Sequence, residues 1–409
     1  MKWTYLSVAA LVGAFSACSG DARPGLTVVT RDLPSPAGEG SGEPFLSSSG
    51  DAVYLSWLEV SPSGGHDLRF ARAEGDEWSE PATIAHSEHF FVNWADFPSL
   101  TPGPDGTLWA HWLERGGEGT YDYGVRVVWS SDGGRHWSEP WTPHDDDTPT
   151  EHGFVSALPT ADGMGFIWLD GRETAPGPDG RLPDAAMTLR YGSISADGLP
   201  GPGALIDDRV CDCCQTDVAV ASSGPVAVYR DRTEDEIRDI YVTRFDDGAW
   251  TEGVPVHADE WKTAACPVNG PAVAARGDNV AVAWFTAVGY VPKVKIAFSS
   301  DGGASFGEPS VIDGGSPSGR VDLIMLEGGS VLVSWLEQTG GAGAEVRLRR
   351  VDPDGRASES VTVTESLARR ASGFPRIIEA GDGSVLLAWT DVMGERSQVR
   401  VTRIDMEGS

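Results

Sequence analysis

Four cysteines offer the most distinctive side-chain chemistry in the sequence: Cys211, Cys213, Cys214 and Cys266. In an oxidising compartment, their simplest use is a pair of disulfides, here Cys211 with Cys266 and a vicinal bond between Cys213 and Cys214. A second interpretation is a soft-metal site for copper(I) or zinc, to which His152 would add an imidazole nitrogen. The third is a catalytic or redox thiol.

The positions of these residues follow an internal repeat. Seven aromatic residues recur at steps of 51–61 residues, in strands such as 53–57 and 331–335 that alternate in polarity: Trp57, Trp112, Trp168, Tyr229, Trp284, Trp335 and Trp389. Cys211 and Cys266 each stand 18 residues before such an aromatic, and His152 and Cys213 each stand 16 before one. Equivalent positions of neighbouring repeats share a face, so we expect these side chains to cluster.

The repeat has the length of four short strands with their loops, which is the size of a β-propeller blade. Glycine (51) and proline (27) are both frequent, as expected for many strands joined by tight turns. The last repeat has room for one strand after Trp389, around Gln398–Ile404, and the run Leu26–Thr30 can supply its outer strand. The sequence predicts an all-β propeller of seven four-stranded blades closed by an N-terminal strand, with six or eight blades as alternatives.

A second motif marks a turn late in two repeats. Ser130-Ser131-Asp132-Gly133-Gly134-Arg135-His136-Trp137 matches Ser-x-Asp-x-Gly-x-x-Trp, and residues 299–306 match it with Phe306 in the tryptophan place. Glycine permits positive φ and the aspartate binds turn amides. The motif resembles the BNR or Asp-box repeats of the sialidase-like propeller superfamily, over nearly the whole mature chain. The resemblance implies a propeller in which these turns are structural and lie away from any catalytic face.

The same resemblance raises the alternative of a glycoside hydrolase of the exo-alpha-sialidase type. Enzymes of that kind use three arginines for the substrate carboxylate, a tyrosine nucleophile backed by glutamate, and an aspartic acid, on six blades. The Arg-Ile-Pro motif that usually contains the first of these three arginines is absent from the sequence. Arginines near the ends of repeats are Arg172, Arg230, Arg232, Arg320 and Arg370, and the candidate nucleophile is Tyr290.

Loops that lead from one blade to the next open on one face of a propeller, where ligands bind around the channel. The candidate ligand-binding residues in these crossover loops are Asn93, Asp96, His152, Asn269, Arg320 and Asp322. Two residues after six of the seven repeat aromatics stands an acidic residue: Glu59, Glu114, Asp170, Asp231, Glu337 and Asp391. These carboxylates either accept backbone amides of neighbouring loops or form a ring of negative potential that attracts cations.

The N-terminus predicts export. Lys2 precedes a short apolar run within residues 1–18, and Phe15-Ser16-Ala17-Cys18 resembles a bacterial lipobox, which implies lipidation of Cys18. Cleavage after Ala17 by an ordinary signal peptidase is the alternative. Residues 19–42 form a tether that contains the ring-closing strand, and residues 43–409 form a single propeller domain. The resemblance to lipoproteins, with the non-acidic Ser19 after the cysteine, implies the outer membrane of the bacterial envelope, with the protein facing the periplasm or the cell surface.

The net charge of −30 argues against a nucleic-acid partner, because phosphates are repelled. We expect a monomer that contacts the membrane through its lipid. The leading hypothesis is a propeller that binds a ligand or protein partner on its crossover-loop face, with copper or zinc at the cysteines and no other cofactor. The alternatives are the sialidase-type hydrolase and a protein-interaction scaffold with structural disulfides.

Overall fold

The computed structural model describes residues 26–177 and 185–406. In this part of the chain, seven antiparallel sheets follow one another along the sequence and form the blades of a β-propeller. The predicted all-β class and the count of seven blades are confirmed. The signal segment 1–18, with Cys18, lies outside the described residues. Within the described ranges, no helix combines the length and apolar character needed to span a membrane.

The first four blades follow the N-terminal strand β1 (Val28–Leu33). Blade 1 contains β2 (Ser41–Ser49), β3 (Ala52–Val60), β4 (His66–Glu74), β5 (Glu77–Trp78) and β6 (Ala82–Ser87). Blade 2 contains β7 (Ser99–Pro102), β8 (Leu108–Arg115) and β9 (Tyr123–Ser130). Blade 3 contains β10 (His152–Pro159), β11 (Gly163–Asp170), β12 (Met187–Ser195) and β13 (Ala204–Val210). Blade 4 contains β14 (Asp217–Ala221), β15 (Gly224–Arg230), β16 (Ile240–Asp246), β17 (Ala249–Trp250) and β18 (Val254–Pro255).

The remaining three blades complete the ring. Blade 5 contains β19 (Ala272–Arg276), β20 (Asn279–Thr286), β21 (Lys293–Ser299) and β22 (Ser310–Val311). Blade 6 contains β23 (Pro317–Met325), β24 (Val331–Gly340), β25 (Gly343–Val351) and β26 (Val361–Leu367). Blade 7 contains β27 (Arg376–Glu379), β28 (Val385–Met393), β29 (Arg396–Met406) and β1. Short 3₁₀ helices lie in the loops at Arg172–Thr174, Val288–Tyr290 and Arg370–Ser372.

The ring closes through the N-terminal strand, as predicted. β1 pairs antiparallel with β29, from Val28 opposite Met406 to Leu33 opposite Val401. The strand begins and ends slightly later than the predicted run 26–30, and its last residue, Leu33, enters the hydrophobic core. Without β1, the long strand β29 would be an open sheet edge; pairing removes that edge.

The core lies between neighbouring blades. The seven repeat aromatics occupy the second main strand of each blade, and all are buried. Trp335 of β24, for example, shares a hydrophobic cluster with Ile296 of blade 5. The run Val331–Glu337 is buried at every position because both faces of β24 pack against other parts of the protein.

The acidic residues that follow the repeat aromatics are used inside the blades. The indole N–H of Trp57 donates to Glu59 (2.9 Å), that of Trp168 to Asp170 (2.8 Å), and that of Trp335 to Glu337 (2.6 Å). Glu337 also accepts the backbone amides of Gly314 and Ser316. Where the repeat has Thr286 instead of an acid, Asp259 accepts the indole N–H of Trp284 (2.7 Å). These contacts support the structural interpretation of the acidic positions.

The Asp-box turns are held by side-chain hydrogen bonds. Ser130 Oγ donates to Asp132 Oδ1 (2.9 Å) and accepts the Gly134 amide (2.9 Å), while Asp132 Oδ1 accepts the His136 amide (3.0 Å). Ser299 and Asp301 repeat the arrangement in blade 5. Gly134 has a φ of 85°, and a Cβ there would lie 2.4 Å from the Phe70 ring of blade 1. The turn therefore docks blade 2 on blade 1 and has a structural role, as the resemblance implied.

Candidate metal centre on the crossover-loop face

Two crossover loops bring the cysteines together. Residues 211–216 lead from β13 to β14, and Cys266 lies between β18 and β19. The first loop is fixed at its start because the Cys211 amide donates to the Arg230 carbonyl oxygen (3.0 Å). Each loop leads from an outer strand to the next inner strand, so both open on the same face of the propeller.

The four thiols are neighbours in the structure. Sγ of Cys211 lies 3.6 Å from Sγ of Cys214 and 4.0 Å from Sγ of Cys213, and these three sulfurs all lie within 4.8 Å of one another. Cys211 and Cys214 are buried, whereas Cys266 is exposed and interacts with the Cys213 thiol. The spacing of the repeats thus identified residues that the fold does bring together.

All four residues are free thiols, so the expected Cys211–Cys266 and Cys213–Cys214 disulfides are not present. The sulfurs of Cys211 and Cys214 are also unbonded, because they lie 3.6 Å apart and a disulfide is about 2.05 Å long. Three sulfurs that converge without bonding can act as donors to one ion. The group is geometrically able to hold a metal.

A positively charged group stands directly behind the thiols. Arg238 Nη1 donates to Cys211 Sγ (3.2 Å), and its Nη2 donates to Glu236 (2.8 Å), which fixes the guanidinium plane. The thiols of Cys213 and Cys214 lower the pKa of Cys211 well below its usual value, and the guanidinium groups of Arg230 and Arg238 lower it further. Cys211 is therefore the sulfur best prepared to exist as a thiolate, the form that binds metals.

The other thiols differ in their proton affinity. Burial raises the pKa of Cys214 to about 12. A hydrogen bond with Cys213 lowers the pKa of Cys266 to about 7. Because Cys266 is also exposed, it is the one thiol of the group that solvent can reach readily.

His152 lies apart from the cysteines, in a second group with His144 and Asp146 that is also geometrically able to hold a metal. Its Nε2 is 3.1 Å from Asp146 Oδ1, and its ring stacks on that of His144 with centroids 4.0 Å apart. His152 is the first residue of β10 and pairs with Asp170, and its side chain contacts Asp146 in the loop that precedes β10. The structure thus groups His152 with His144 and Asp146 and not with the three clustered cysteines, and a contribution of His152 to the cysteine site stays a prediction.

A third group of titratable side chains joins blades 2 and 3. The Tyr123 hydroxyl is 2.8 Å from Asp96 Oδ2 and 2.5 Å from Glu151 Oε1. Burial raises the pKa of Asp96 to about 7 and that of Glu151 to about 8. Because a hydroxyl has one proton for these two acceptors, the arrangement favours a proton on one of the carboxyl groups. Tyr123 is only 2% exposed and stacks on Phe91, which keeps its hydroxyl from acting as an accessible nucleophile.

Three of the predicted ligand-binding side chains fasten one blade to the next. Each accepts a backbone amide of the following blade: Asp96 from Phe154 (2.7 Å), Asn269 from Arg320 (2.8 Å), and Asp322 from Ile377 (2.8 Å). Side-chain acceptors of this kind satisfy the hydrogen bonding of backbone amides where the strand pairing is interrupted. These residues therefore have a structural role in the propeller.

The other predicted ligand-binding residues also have partners within the protein. The Arg320 guanidinium donates to the carbonyl oxygens of Gly373 and Arg369, and Asn93 accepts the Ala95 amide inside its own loop. Asp96, however, also lines a cavity of about 180 Å³, together with Phe45, Gln215 and Arg376. Ligand binding at this face remains a prediction.

The arginines considered for a substrate carboxylate are engaged elsewhere. Arg172 pairs with Asp170 (2.8 Å), Arg232 pairs with Asp212 and Glu236, and Arg230 donates to backbone carbonyl oxygens. Arg370 lies in a 3₁₀ helix, and Tyr290 is 99% exposed. Four of these arginines therefore bind groups of the protein itself and are not available to a substrate carboxylate: Arg172, Arg230, Arg232 and Arg320.

Comparison with known proteins gives a likeness of fold. No family model and no curated protein matches the chain. A protein of unknown function from Dyadobacter fermentans is 15% identical, with 94% of this chain and 100% of that chain covered and a TM-score of 0.54. A PL25 ulvan lyase is 11% identical, with 79% and 80% covered and a TM-score of 0.50. The Hadza microbial sialidase Hz136 is 16% identical, with 72% and 63% covered and a TM-score of 0.44.

Four residues of these groups are not among the site residues predicted from the sequence: Tyr123, His144, Asp146 and Glu151. They carry no motif, and they meet only because β9, β10 and the loop between them fold together. The available signal is the density of ligand-type residues in 144–152, which contains two histidines, three aspartates and a glutamate. Density in sequence is a weak indicator because it does not give side-chain directions.

Proposed function

We propose that this propeller is a metal-binding protein of the bacterial cell envelope, with a thiolate centre for copper(I) or zinc on its crossover-loop face. The ligands are Cys211, Cys213, Cys214 and Cys266. The proposal is carried by the convergence of three free thiols of one crossover loop, those of Cys211, Cys213 and Cys214, with Cys266 of the next crossover loop beside Cys213. Thiolates are soft donors that select copper(I) and zinc over magnesium or calcium.

The surroundings of the thiols favour an anionic site. Arg238 and Arg230 place positive charge beside Cys211, and the fold holds Arg238 through Glu236. A metal ion that binds here displaces thiol protons, and so affinity increases with pH. Outer contacts of this kind typically change metal affinity by about 10–100-fold.

The exposed position of Cys266 bears on the choice of metal. Zinc in a structural site takes four ligands and would need Cys266 in addition to the three clustered sulfurs. Copper(I) can be held by the three sulfurs alone. Cys266→Ser therefore separates the two ions: zinc affinity should fall at least tenfold, and copper(I) affinity should change little.

The location of the protein belongs to the same proposal. Lipidation of Cys18 would anchor the propeller at the outer membrane through the tether of residues 19–42. The net charge of −30 attracts cations and disfavours contact with anionic headgroups. Cys18→Ala should release the protein from the membrane fraction, and an unmodified mature N-terminus would contradict the anchor.

The central experiment is a metal and free-thiol analysis of the mature chain after reduction and dialysis against a chelator. On addition of copper(I) or zinc, the native chain should take up one equivalent at its thiols, and Cys213→Ser should lose it. Met393→Ser removes a sulfur from the exposed end of β28 and serves as the matched control. If Cys213→Ser instead keeps the metal, the clustered thiols are not its ligands and the thiolate site is wrong.

A further inference from the structure

We propose a second, chemically different metal site between blades 2 and 3, in which His144, Asp146 and His152 hold a divalent cation through nitrogen and oxygen. One ligand atom of each residue lies within 4.8 Å of the others. The site is separate from the cysteines and does not depend on the function proposed for them.

The hydrogen bonds of His152 prepare its outer nitrogen for a cation. Nδ1 lies 3.1 Å from the Thr150 carbonyl oxygen, which can only accept, so Nδ1 carries a proton. Nε2 lies 3.1 and 3.2 Å from the two carboxylate oxygens of Asp146 and 3.7 Å from Asp170 Oδ1. A bare nitrogen lone pair facing carboxylate oxygens is unfavourable unless a cation, either a proton or a metal ion, lies between them. Metal-binding histidines commonly donate their other N–H to a backbone carbonyl in this way.

His144 offers the third donor. Its Nδ1 is buried, finds no hydrogen-bond partner in the described part of the chain, and lies 3.6 Å from Asp146 Oδ1. Its Nε2 accepts a long hydrogen bond from the Val125 amide (3.3 Å). Ligation through Nδ1 moves the ring proton to Nε2 and gives up that bond, which the contact with the ion offsets.

The charge around the site is negative. Four carboxylates lie around the site and pair with only two guanidinium groups, those of Arg172 and Arg190. The carboxylates are those of Asp145, Asp146, Asp170 and Glu173. Arg172 is shared among three of the aspartates, at 2.8–3.0 Å from each. With both histidines neutral, these groups sum to a charge of two negatives, which one divalent ion balances.

The donor set indicates the class of ion. Imidazole and carboxylate ligands suit zinc, nickel and copper(II), whereas calcium and magnesium prefer oxygen alone. Zinc bonds to nitrogen and oxygen are about 2.0–2.2 Å long, so the ion must draw the three side chains closer than they stand. Asp146 is positioned for this by Thr148, whose amide and hydroxyl both donate to Oδ2.

The test counts zinc equivalents in the mature chain and four variants. The native chain should bind two, one at the thiols and one at the histidines. Cys213→Ser should keep the zinc ion at the histidines. His152→Gln should keep the zinc ion at the thiols, and the zinc affinity of its histidine site should fall at least tenfold. Asp146→Asn is the second variant, since it preserves shape if His152→Gln fails to fold. His86→Gln is the matched control, because His86 is half-exposed and pairs with a single carboxylate, Asp67, at 2.7 Å.

The outcomes separate the two sites. Loss of one equivalent in His152→Gln or Asp146→Asn, but not in His86→Gln, supports the second site even if the thiols bind nothing. If His152→Gln and Asp146→Asn both bind as much zinc as the native chain, the second site is wrong. If Cys213→Ser removes all bound zinc, the second site is also wrong, while the thiol site stands.

Discussion

At the scale of single residues, carboxyl groups connect the parts of this propeller. Glu59, Asp170 and Glu337 accept indole N–H groups within their blades, whereas Asp96 and Asp322 accept amides of the next blade. Burial raises the pKa of Asp96 and of Asp322, because a charged carboxylate loses its hydration there. The same groups that hold the ring together should therefore make its stability depend on pH.

Asp96 gives this dependence a testable form. Its pKa is about 7 in the folded protein and about 3.9 in an unfolded chain. The folded state therefore binds the extra proton between these values, and the stabilising contribution is full below about pH 4 and is lost as the pH rises toward 7. The slope is at most about 1.4 kcal/mol per pH unit. We expect Asp96→Asn to lose less stability than the native chain when urea unfolding is compared at pH 5 and pH 8.

The control for this comparison is Asp382→Asn. A hydrogen bond from Ser384 lowers the pKa of Asp382 to about 2, so the residue is ionised in both states across the measured range. The unfolding free energies of Asp382→Asn and of the native chain should run parallel with pH. Parallel curves for Asp96→Asn as well would show that Asp96 does not hold a proton in the fold.

At the scale of elements, the Asp-box turn fixes where one blade rests on another. Ser130 is 2% exposed, and its Oγ is the acceptor for the buried Gly134 amide. Trp137, which ends the motif, packs edge-on against Phe70 of blade 1 with ring centroids 6.0 Å apart. The turn lies at the opposite end of the strands from the crossover loops, so its effect on either metal site should be small.

Ser130→Ala leaves the Gly134 amide without its partner and should destabilise the protein by about 1–2 kcal/mol. Ser131→Ala changes the exposed neighbouring serine and should leave the unfolding free energy within about 0.5 kcal/mol of native. Chemical denaturation measures both. Equal stabilities for the two variants, or a loss of bound metal in Ser130→Ala, would contradict the role assigned to the turn.

At the scale of the whole molecule, the N-terminal strand joins the two ends of the chain into one ring. β1 contributes six paired residues to β29 and places Leu33 in the core between blades 7 and 1. The crossover loops sit at blade junctions, so their geometry depends on a closed ring. Ring closure therefore couples the termini to the stability of the whole propeller.

A mature chain that begins at Pro34 should unfold at a lower temperature and lose several kcal/mol of stability, at about 1 kcal/mol for each lost backbone hydrogen bond. It should also associate, because β29 becomes an open edge. A chain that begins at Gly25 retains β1 and is the control. Thermal unfolding and light scattering test this, and a truncated chain that melts with the control and stays monomeric would refute the role of β1.

The sequence by itself determined the architecture. The spacing of the repeat aromatics predicted seven blades, the short last repeat predicted a closing strand near the N-terminus, and the Asp-box motif predicted structural turns. These features are periodic or local, so hydrophobic patterning and turn chemistry specify them without knowledge of distant contacts. The same spacing of repeat aromatics placed Cys211 and Cys266 at equivalent positions of neighbouring blades, and the structure brings their loops together.

The tertiary structure alone decided which side chains meet. His152 joins His144 and Asp146 instead of the cysteines, because its direction depends on the path of the loop before β10. Asp96 and Asn269, expected to face a ligand, turn toward the amides of Phe154 and Arg320, both residues with positive φ. Repeat spacing fixes the position of a residue along its blade, but loop conformation and the neighbouring blade fix the direction of its side chain.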